Sequence, residues 1–181
     1  MQVTDGDAGG GHSIRTATAS DAAAVAELAE RTFRETFAPD NSAADMNAYC
    51  KTAFGVEVQR AEIALPGSHF LLVEEGGAMV AYAHLRDDKK PPPSVTGAAP
   101  ILLSRFYVDA PRHGTGLAQT LMGAVFVAAR RRGARTLYLT VWDRNPRARK
   151  FYQKLGFVEV GTEPFVLGTD HQIDIIVARE L

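Results

Sequence analysis

Short apolar runs of strand length alternate along the chain with stretches in which apolar residues recur every three or four positions. That pattern predicts interleaved strands and helices. Ile14 to Ala17 reads as a first short strand, after which Ser20 or Asp21 caps a helix that sets Val25, Leu28, Thr32 and Phe33 on one face. Met46, Tyr49, Cys50 and Phe54 stand in helical register within Ala43 to Phe54, and Val56 to Ala64 reads as a third helix. His69 to Glu74 and Met79 to Leu85 are apolar runs joined by Glu75, Gly76 and Gly77, the pattern of a β-hairpin.

Lys89 to Pro100 holds two lysines and four prolines, which removes backbone donors and predicts a loop. Ile101 to Val108 is apolar on both faces, as a central strand is, and leads through Pro111 into a Gly-rich turn. The helix that follows reaches about Arg132 and buries Leu117, Leu121, Val125 and Ala128, with Gly133 at its C-terminal cap. Thr136 to Val141 is another strand. Asn145 then caps a helix with Pro146 at its first position, and Gly156 closes it. Phe157 to Val160 and Gln172 to Ala178 complete a mixed α/β sheet of about seven strands with flanking helices.

Composition narrows the setting. A length of 181 residues with 46% apolar content suits one domain, expected over residues 13–181 behind a flexible, Gly-rich tail, residues 1–12. A net charge of -1 gives no global attraction to nucleic acid or anionic lipid, and neither is expected as a partner. No apolar run reaches the roughly 18 residues of a membrane span, so a soluble protein is expected. Cys50 is the only cysteine, which suits a reducing, cytoplasmic setting. His12, His69 and His171 lack metal-ligand spacing, and no metal is expected.

The candidate chemistry lies in Val108-Asp-Ala-Pro-Arg-His-Gly-Thr-Gly-Leu-Ala118, between a buried strand and a helix start. Gly114 and Gly116 let main-chain N–H groups approach a phosphate at a helix N-terminus. A dinucleotide fingerprint would need a third glycine at Gln119, and a P-loop would need a Gly-Lys-Ser/Thr ending; both are absent. By itself the turn is equally a tight connection with capping glycines.

His113-Gly-Thr-Gly-Leu-Ala118 resembles the Gln/Arg-x-x-Gly-x-Gly/Ala acyl-CoA signature of the Gcn5-related N-acetyltransferases. Ile101 to Val108 resembles that family's fourth strand, and Asn145-Pro-Arg-Ala-Arg-Lys-Phe-Tyr-Gln-Lys-Leu-Gly-Phe157 its Asn-x-x-Ala, Tyr and Gly-Phe block. Phe33 to Phe37, Arg105 to Val108, Val141 to Asn145 and Leu167 to Asp174 are similar to polyamine acetyltransferases of the PaiA-like kind. The resemblance implies a mostly antiparallel acyl-CoA N-acyltransferase fold, acetyl-CoA as cosubstrate and a small-molecule primary amine, polyamine-like, as acceptor. A homodimer is left open.

The resemblance also implies roles. Main-chain groups of Phe106, Tyr107 and Val108 meet the pantetheine arm, one of them polarising the thioester carbonyl. His113, Gly114, Thr115, Gly116, Leu117 and Ala118 hold the pyrophosphate, although His113 stands where Gln or Arg is usual. Asn145 is both a helix cap and a ligand of the cofactor arm, Lys154 a phosphate contact on a solvated helix face, and Tyr152 both a core aromatic and the acid that protonates the departing thiolate. Trp142 is a candidate wall of the acceptor pocket, as are the loops around Lys89 to Pro100 and Pro164 to Gln172.

Glu35, Glu74, His84 and the carbonyls near Ser104 are candidate bases, with nothing in their spacing to choose among them. Glu35, Asp40, Asp170 and Asp174 are acidic residues able to attract a polyamine. No Gly-x-Ser-x-Gly elbow is present, so direct transfer is expected rather than an acyl-enzyme. A non-catalytic acyl-CoA-binding module and acetylation of a protein or peptide amine are the alternatives.

Overall fold

The computed structural model describes residues 11–168 and 170–181; residues 1–10 of the expected tail lie outside them. His12, assigned to that tail from the sequence, instead opens β1 (His12–Thr16), opposite Glu75. The chain continues through α1 (Ala22–Phe37), α2 (Ala43–Ala53), α3 (Val56–Ala64), β2 (Ser68–Glu75) and β3 (Ala78–Arg86). β4 (Pro100–Val108), α4 (Leu117–Arg131), β5 (Thr136–Trp142), α5 (Pro146–Lys154), β6 (Val158–Leu167) and β7 (Asp170–Glu180) follow. The strands form one sheet in the order β1-β2-β3-β4-β5-β7-β6, antiparallel throughout except for β4 beside β5.

The helices cover both faces, as their apolar stripes require. Leu121, Met122 and Val125 of α4 pack on Ile101, Leu103, Leu137 and Leu139, and Tyr152 of α5 joins the same core. Ala129, not Ala128, is the small residue fully buried on α4. On the opposite face, Val25, Leu28 and Phe33 of α1 and Met46 and Cys50 of α2 meet Phe70, Leu72 and Tyr82 of the β2–β3 hairpin.

One local expectation holds at the start of α1, and tertiary structure corrects two others. Asp21 is the N-cap of α1, as its sequence position predicts, and Thr18 caps the short 3-10 turn just before it, donating its N–H to Asp21 Oδ2 at 2.7 Å. Asp21 also binds the Arg15 guanidinium at 2.6 Å, which holds its carboxyl well below the usual carboxylate range. Pro164 to Gln172 is not a loop, because β6 and β7 run through it to a turn at Gly168. β6 is an edge strand, and there Pro164 can leave a donor missing without breaking the ladder.

The Pro-rich loop after β3 does not wall the acceptor side. Val95 packs with Tyr138, Ile176 and Ala178, and Gly97 sits against Thr136. This fixes the loop at the end of the sheet where β4 and β5 remain paired, away from the point at which they part.

Candidate active site

The site is made by a defect in the sheet. β4 and β5 stay in register over only three pairs, Pro100 with Thr136, Ile101 with Leu137 and Leu102 with Tyr138. Beyond these, β4 follows β3, and a bulge between the pairs Leu85–Leu103 and His84–Arg105 leaves Ser104 without a partner. The strands separate and open a cleft of about 420 Å³. β4 forms one wall from Leu103 to Val108, and β5 the other from Thr140 to Trp142.

Strand alternation decides which main-chain groups face this gap. Asp109 N–H donates to Val80 O at 2.9 Å, so the groups of Tyr107, two residues earlier, also turn toward β3, where Tyr107 lies opposite Tyr82. Those of Phe106 and Val108 turn toward the gap. Phe106 N–H is thus an unpaired donor beside the space that a thioester carbonyl would occupy, while Tyr107 meets the cleft through its side chain.

The Gly-rich turn closes one end of the cleft. Gly116 has φ of 91° and Gly114 φ of 81°, and a Cβ built on either would meet no atom within 4 Å. In the first turn of α4, Leu117 N–H donates to Thr115 Oγ1 at 3.4 Å, while the N–H groups of Ala118 and Gln119 have no partner among the described residues, the geometry that suits a phosphate. His113, Gly114 and Ala118 line the cleft. Thr115 donates its hydroxyl to Arg112 O at 2.8 Å, and Leu117 is buried in the core beneath the turn.

His113 has a specific task in the protein. Its Nε2 lies 2.9 Å from Val108 O and its Nδ1 2.7 Å from Arg147 Nη1. Because Nε2 must donate to the carbonyl, Nδ1 is left as the acceptor for the guanidinium. The ring pins the end of β4 and holds Arg147 over the turn. Arg149, by contrast, pairs with Glu159 at 2.8 Å. Arg147 has no carboxylate partner among the described residues, and it stands in the first turn of α5, where the helix dipole disfavours a cation. An anion in the cleft would offset both effects. Arg147→Ala is expected to raise the dissociation constant for CoA about tenfold, the loss of one charge-assisted hydrogen bond. Calorimetry showing an unchanged constant would remove Arg147 from the binding surface.

Tyr152 sits on the inward face of α5, 8% exposed and wedged against Phe106, Phe151 and Phe157. It lines the cleft, and its hydroxyl makes no hydrogen bond among the described residues. Burial pushes the phenol above its ordinary range, so it stays protonated at neutral pH. Asn145 Oδ1 accepts from Ala148 N–H at 3.1 Å, which uses its oxygen as the α5 cap while the residue still lines the cleft. Lys154 is exposed on the last turn of α5 and does not line the cleft.

The other mouth of the cleft is aromatic and acidic. Trp142 lies 5.1 Å from Phe37, ring centre to ring centre, and Glu35, Thr36 and Thr32 complete the α1 side. Of the base candidates, Glu74 is bound to Arg15 at 2.5 Å, outside the cleft lining. His84 is fully buried with Nε2 2.7 Å from Ser68 Oγ, and burial together with nearby Arg105 and Arg86 pushes its pKa down to about 2. It is a neutral core histidine. Glu35 and Ser104 remain in the wall.

The sequence reading missed Thr140 and the α1 residues Thr32, Thr36 and Phe37; Arg147, like Arg112, Arg149 and Lys154, reads from the sequence as a solvated helix residue within reach of a CoA phosphate. A threonine inside the apolar run Leu137-Tyr-Leu-Thr-Val-Trp142 was the one local signal for any of the missed residues.

An open mixed sheet whose parallel pair parts over a Gly-rich helix N-terminus is the frame of an acyl-CoA N-acyltransferase. The profile of the acetyltransferase (GNAT) family matches residues 23–157. The chain belongs to this family and is an acetyl-CoA-dependent N-acetyltransferase. An uncharacterized N-acetyltransferase from Mycobacterium tuberculosis is 34% identical over 167 residues, which is 90% of this chain and 99% of that protein. In fold, the chain is similar to the PaiA N-acetyltransferase of Thermoplasma acidophilum in complex with coenzyme A, with a TM-score of 0.75 at 18% identity over 94% and 99% of the two chains. It is also similar to yncA of Salmonella typhimurium, solved with acetyl-CoA, at a TM-score of 0.65 and 21% identity over 94% of each chain.

Proposed function

We propose that the chain transfers the acetyl group of acetyl-CoA to the primary amine of a small cationic acceptor, polyamine-like, by direct attack. The supporting observation is the two-ended cleft, with a phosphate cradle at the Gly114–Gly116 turn and an aromatic and acidic mouth at Phe37, Trp142 and Glu35. Phe106 N–H and Tyr152 stand between them. The turn, Arg147 and Asn145 hold the cosubstrate. Phe106 N–H stabilises the oxyanion, whose charge exceeds that of the ground-state carbonyl, and Tyr152 gives its proton to the departing sulfur.

Glu35 supports the choice of acceptor. Glu27 and Glu30 on the same helix are tied to Arg31 and Arg34, four residues on, whereas Glu35 has no cationic partner among the described residues. A second ammonium of the acceptor would supply one, and the rings of Phe37 and Trp142 suit its alkyl chain and charge.

In a thiol-release assay, spermidine is expected to be acetylated at least tenfold faster in kcat/KM than an amino acid with a neutral side chain. Glu35→Gln is expected to raise KM for spermidine alone. Equal or reversed rates, or a preference for peptide N-termini, would overturn the polyamine reading.

A further inference from the structure

The amine poses a proton problem, and Glu35 of the cleft wall is already given to a second ammonium of the acceptor in the proposed function. An alkylamine of pKa about 10.4 is almost wholly protonated at pH 7, so a group of this chain must take a proton before attack. Thr140 is the polar residue on the β5 wall; it shares a face of β5 with Trp142, so its hydroxyl lies diagonally beside Asp174, the β7 partner of Trp142, close enough to favour the carboxylate. Asp174 lies directly opposite Trp142 in the β5–β7 ladder, on the side of β5 away from the gap. A path therefore runs from the acceptor mouth through Thr140 to a half-buried carboxylate.

The surroundings of that carboxylate are unusual for a structural aspartate. Asp143 after β5 and Glu163 across β6 face it, Tyr49 approaches from α2, and among the described residues no cation offsets its charge. Burial, followed by the two acids, pushes its pKa up to about 6, against the opposing pull of the Thr140 hydroxyl. Asp174 is thus ionised at neutral pH and more basic than an exposed carboxylate. An unpaired, partly desolvated charge costs stability, and a neutral residue would hold the fold as well.

Building on the proposed amine acetylation, we propose that Asp174 is the proton acceptor of the reaction, working through the Thr140 hydroxyl. An ammonium N–H donates to Thr140 Oγ. Its proton passes to that oxygen while the hydroxyl's own proton moves to the Asp174 carboxylate. The freed nitrogen lone pair then forms the bond to the acetyl carbon. As the carbon–sulfur bond breaks, Tyr152 protonates the sulfur and recovers a proton from the amide nitrogen. Asp174 releases its proton to water, so one ammonium and one thioester yield one amide, one thiol and one proton.

Asp174→Asn is expected to lower kcat with spermidine at pH 7 by about a hundredfold, the scale of general-base catalysis. The loss should shrink as pH rises and neutral amine becomes abundant, with CoA affinity unchanged and thermal stability equal or higher. Thr140→Val should reproduce the defect, and Thr140→Ser should restore most of the rate. Wild-type kcat in Asp174→Asn, or the same loss at every pH, would overturn the proposal.

A wild-type protein inert toward every amine tested would instead overturn the proposed function. Asp174 would then be judged by carbon-13 NMR of its carboxyl. A raised titration that Thr140→Val raises further supports the relay, and a titration in the ordinary carboxylate range excludes it.

Discussion

Tyr152→Phe is expected to lower kcat by two to three orders of magnitude while KM for acetyl-CoA changes less than about twofold. General acid catalysis by one positioned side chain contributes roughly 10²–10⁴ in rate. Phenylalanine keeps the edge contacts with Phe106, Phe151 and Phe157 that anchor α5, so the change removes one oxygen and leaves the packing intact. That hydroxyl makes no hydrogen bond within the described chain, hence its loss orphans no partner and the melting temperature should hold. The pH behaviour has a definite sign. Burial raises the phenol above its usual value, so the proton is present across the neutral range and is lost only in strongly alkaline solution. The wild-type rate should therefore show no decline near pH 10 from this group. An acetyl thioester of a more acidic thiol needs less help in leaving and should narrow the gap between the variant and wild type. A variant within twofold of wild type in single-turnover experiments would show that Tyr152 serves packing alone.

What was legible in the sequence was local. The 3.6-residue spacing of Val25, Leu28, Thr32 and Phe33 gives α1 its buried face without reference to the rest of the chain. Asn145 with Pro146 marks the start of α5 by cap chemistry, and the turn around Gly114 and Gly116 lies where a buried strand meets a helix. What was not legible depends on register between distant segments. Pro164 breaks a central strand but is harmless on an edge, and only the order β5-β7-β6 reveals that β6 is an edge. His84 has an ordinary strand position, and its neutrality comes from burial and the positive charges of Arg86 and Arg105. The two devices with most bearing on function, His113 with Arg147 and Thr140 with Asp174, join residues far apart in the chain. Their geometry exists only once α5 lies beside the turn and β7 beside β5. Short-range pattern therefore identified the cofactor end of the cleft, and the acceptor end had to be seen folded.

Gly116→Ala is expected to weaken CoA binding by at least a hundredfold while lowering the melting temperature by only a few degrees. Two costs are mixed in any such change, and the structure separates them. The left-handed φ of 91° strains an L-residue by about 1–2 kcal/mol, which for a domain of this size is a shift of about 2–8 °C. The added methyl itself touches nothing in the protein within 4 Å, so no further loss of stability follows. Gly116 is the N-cap of α4, so the methyl takes open space beside the helix start, where a pyrophosphate would take up the free N–H groups. Denying two charge-assisted hydrogen bonds costs about 3–4 kcal/mol, a factor of roughly 10²–10³ in affinity. Gly133 at the opposite end of α4 is the matched control, with φ of 79° and equally open space around a built Cβ. Gly133→Ala should show the same thermal shift with CoA affinity unaltered. Calorimetry on the pair therefore isolates the cradle: if both variants bind CoA alike, the turn is a helix cap and the phosphates are held elsewhere.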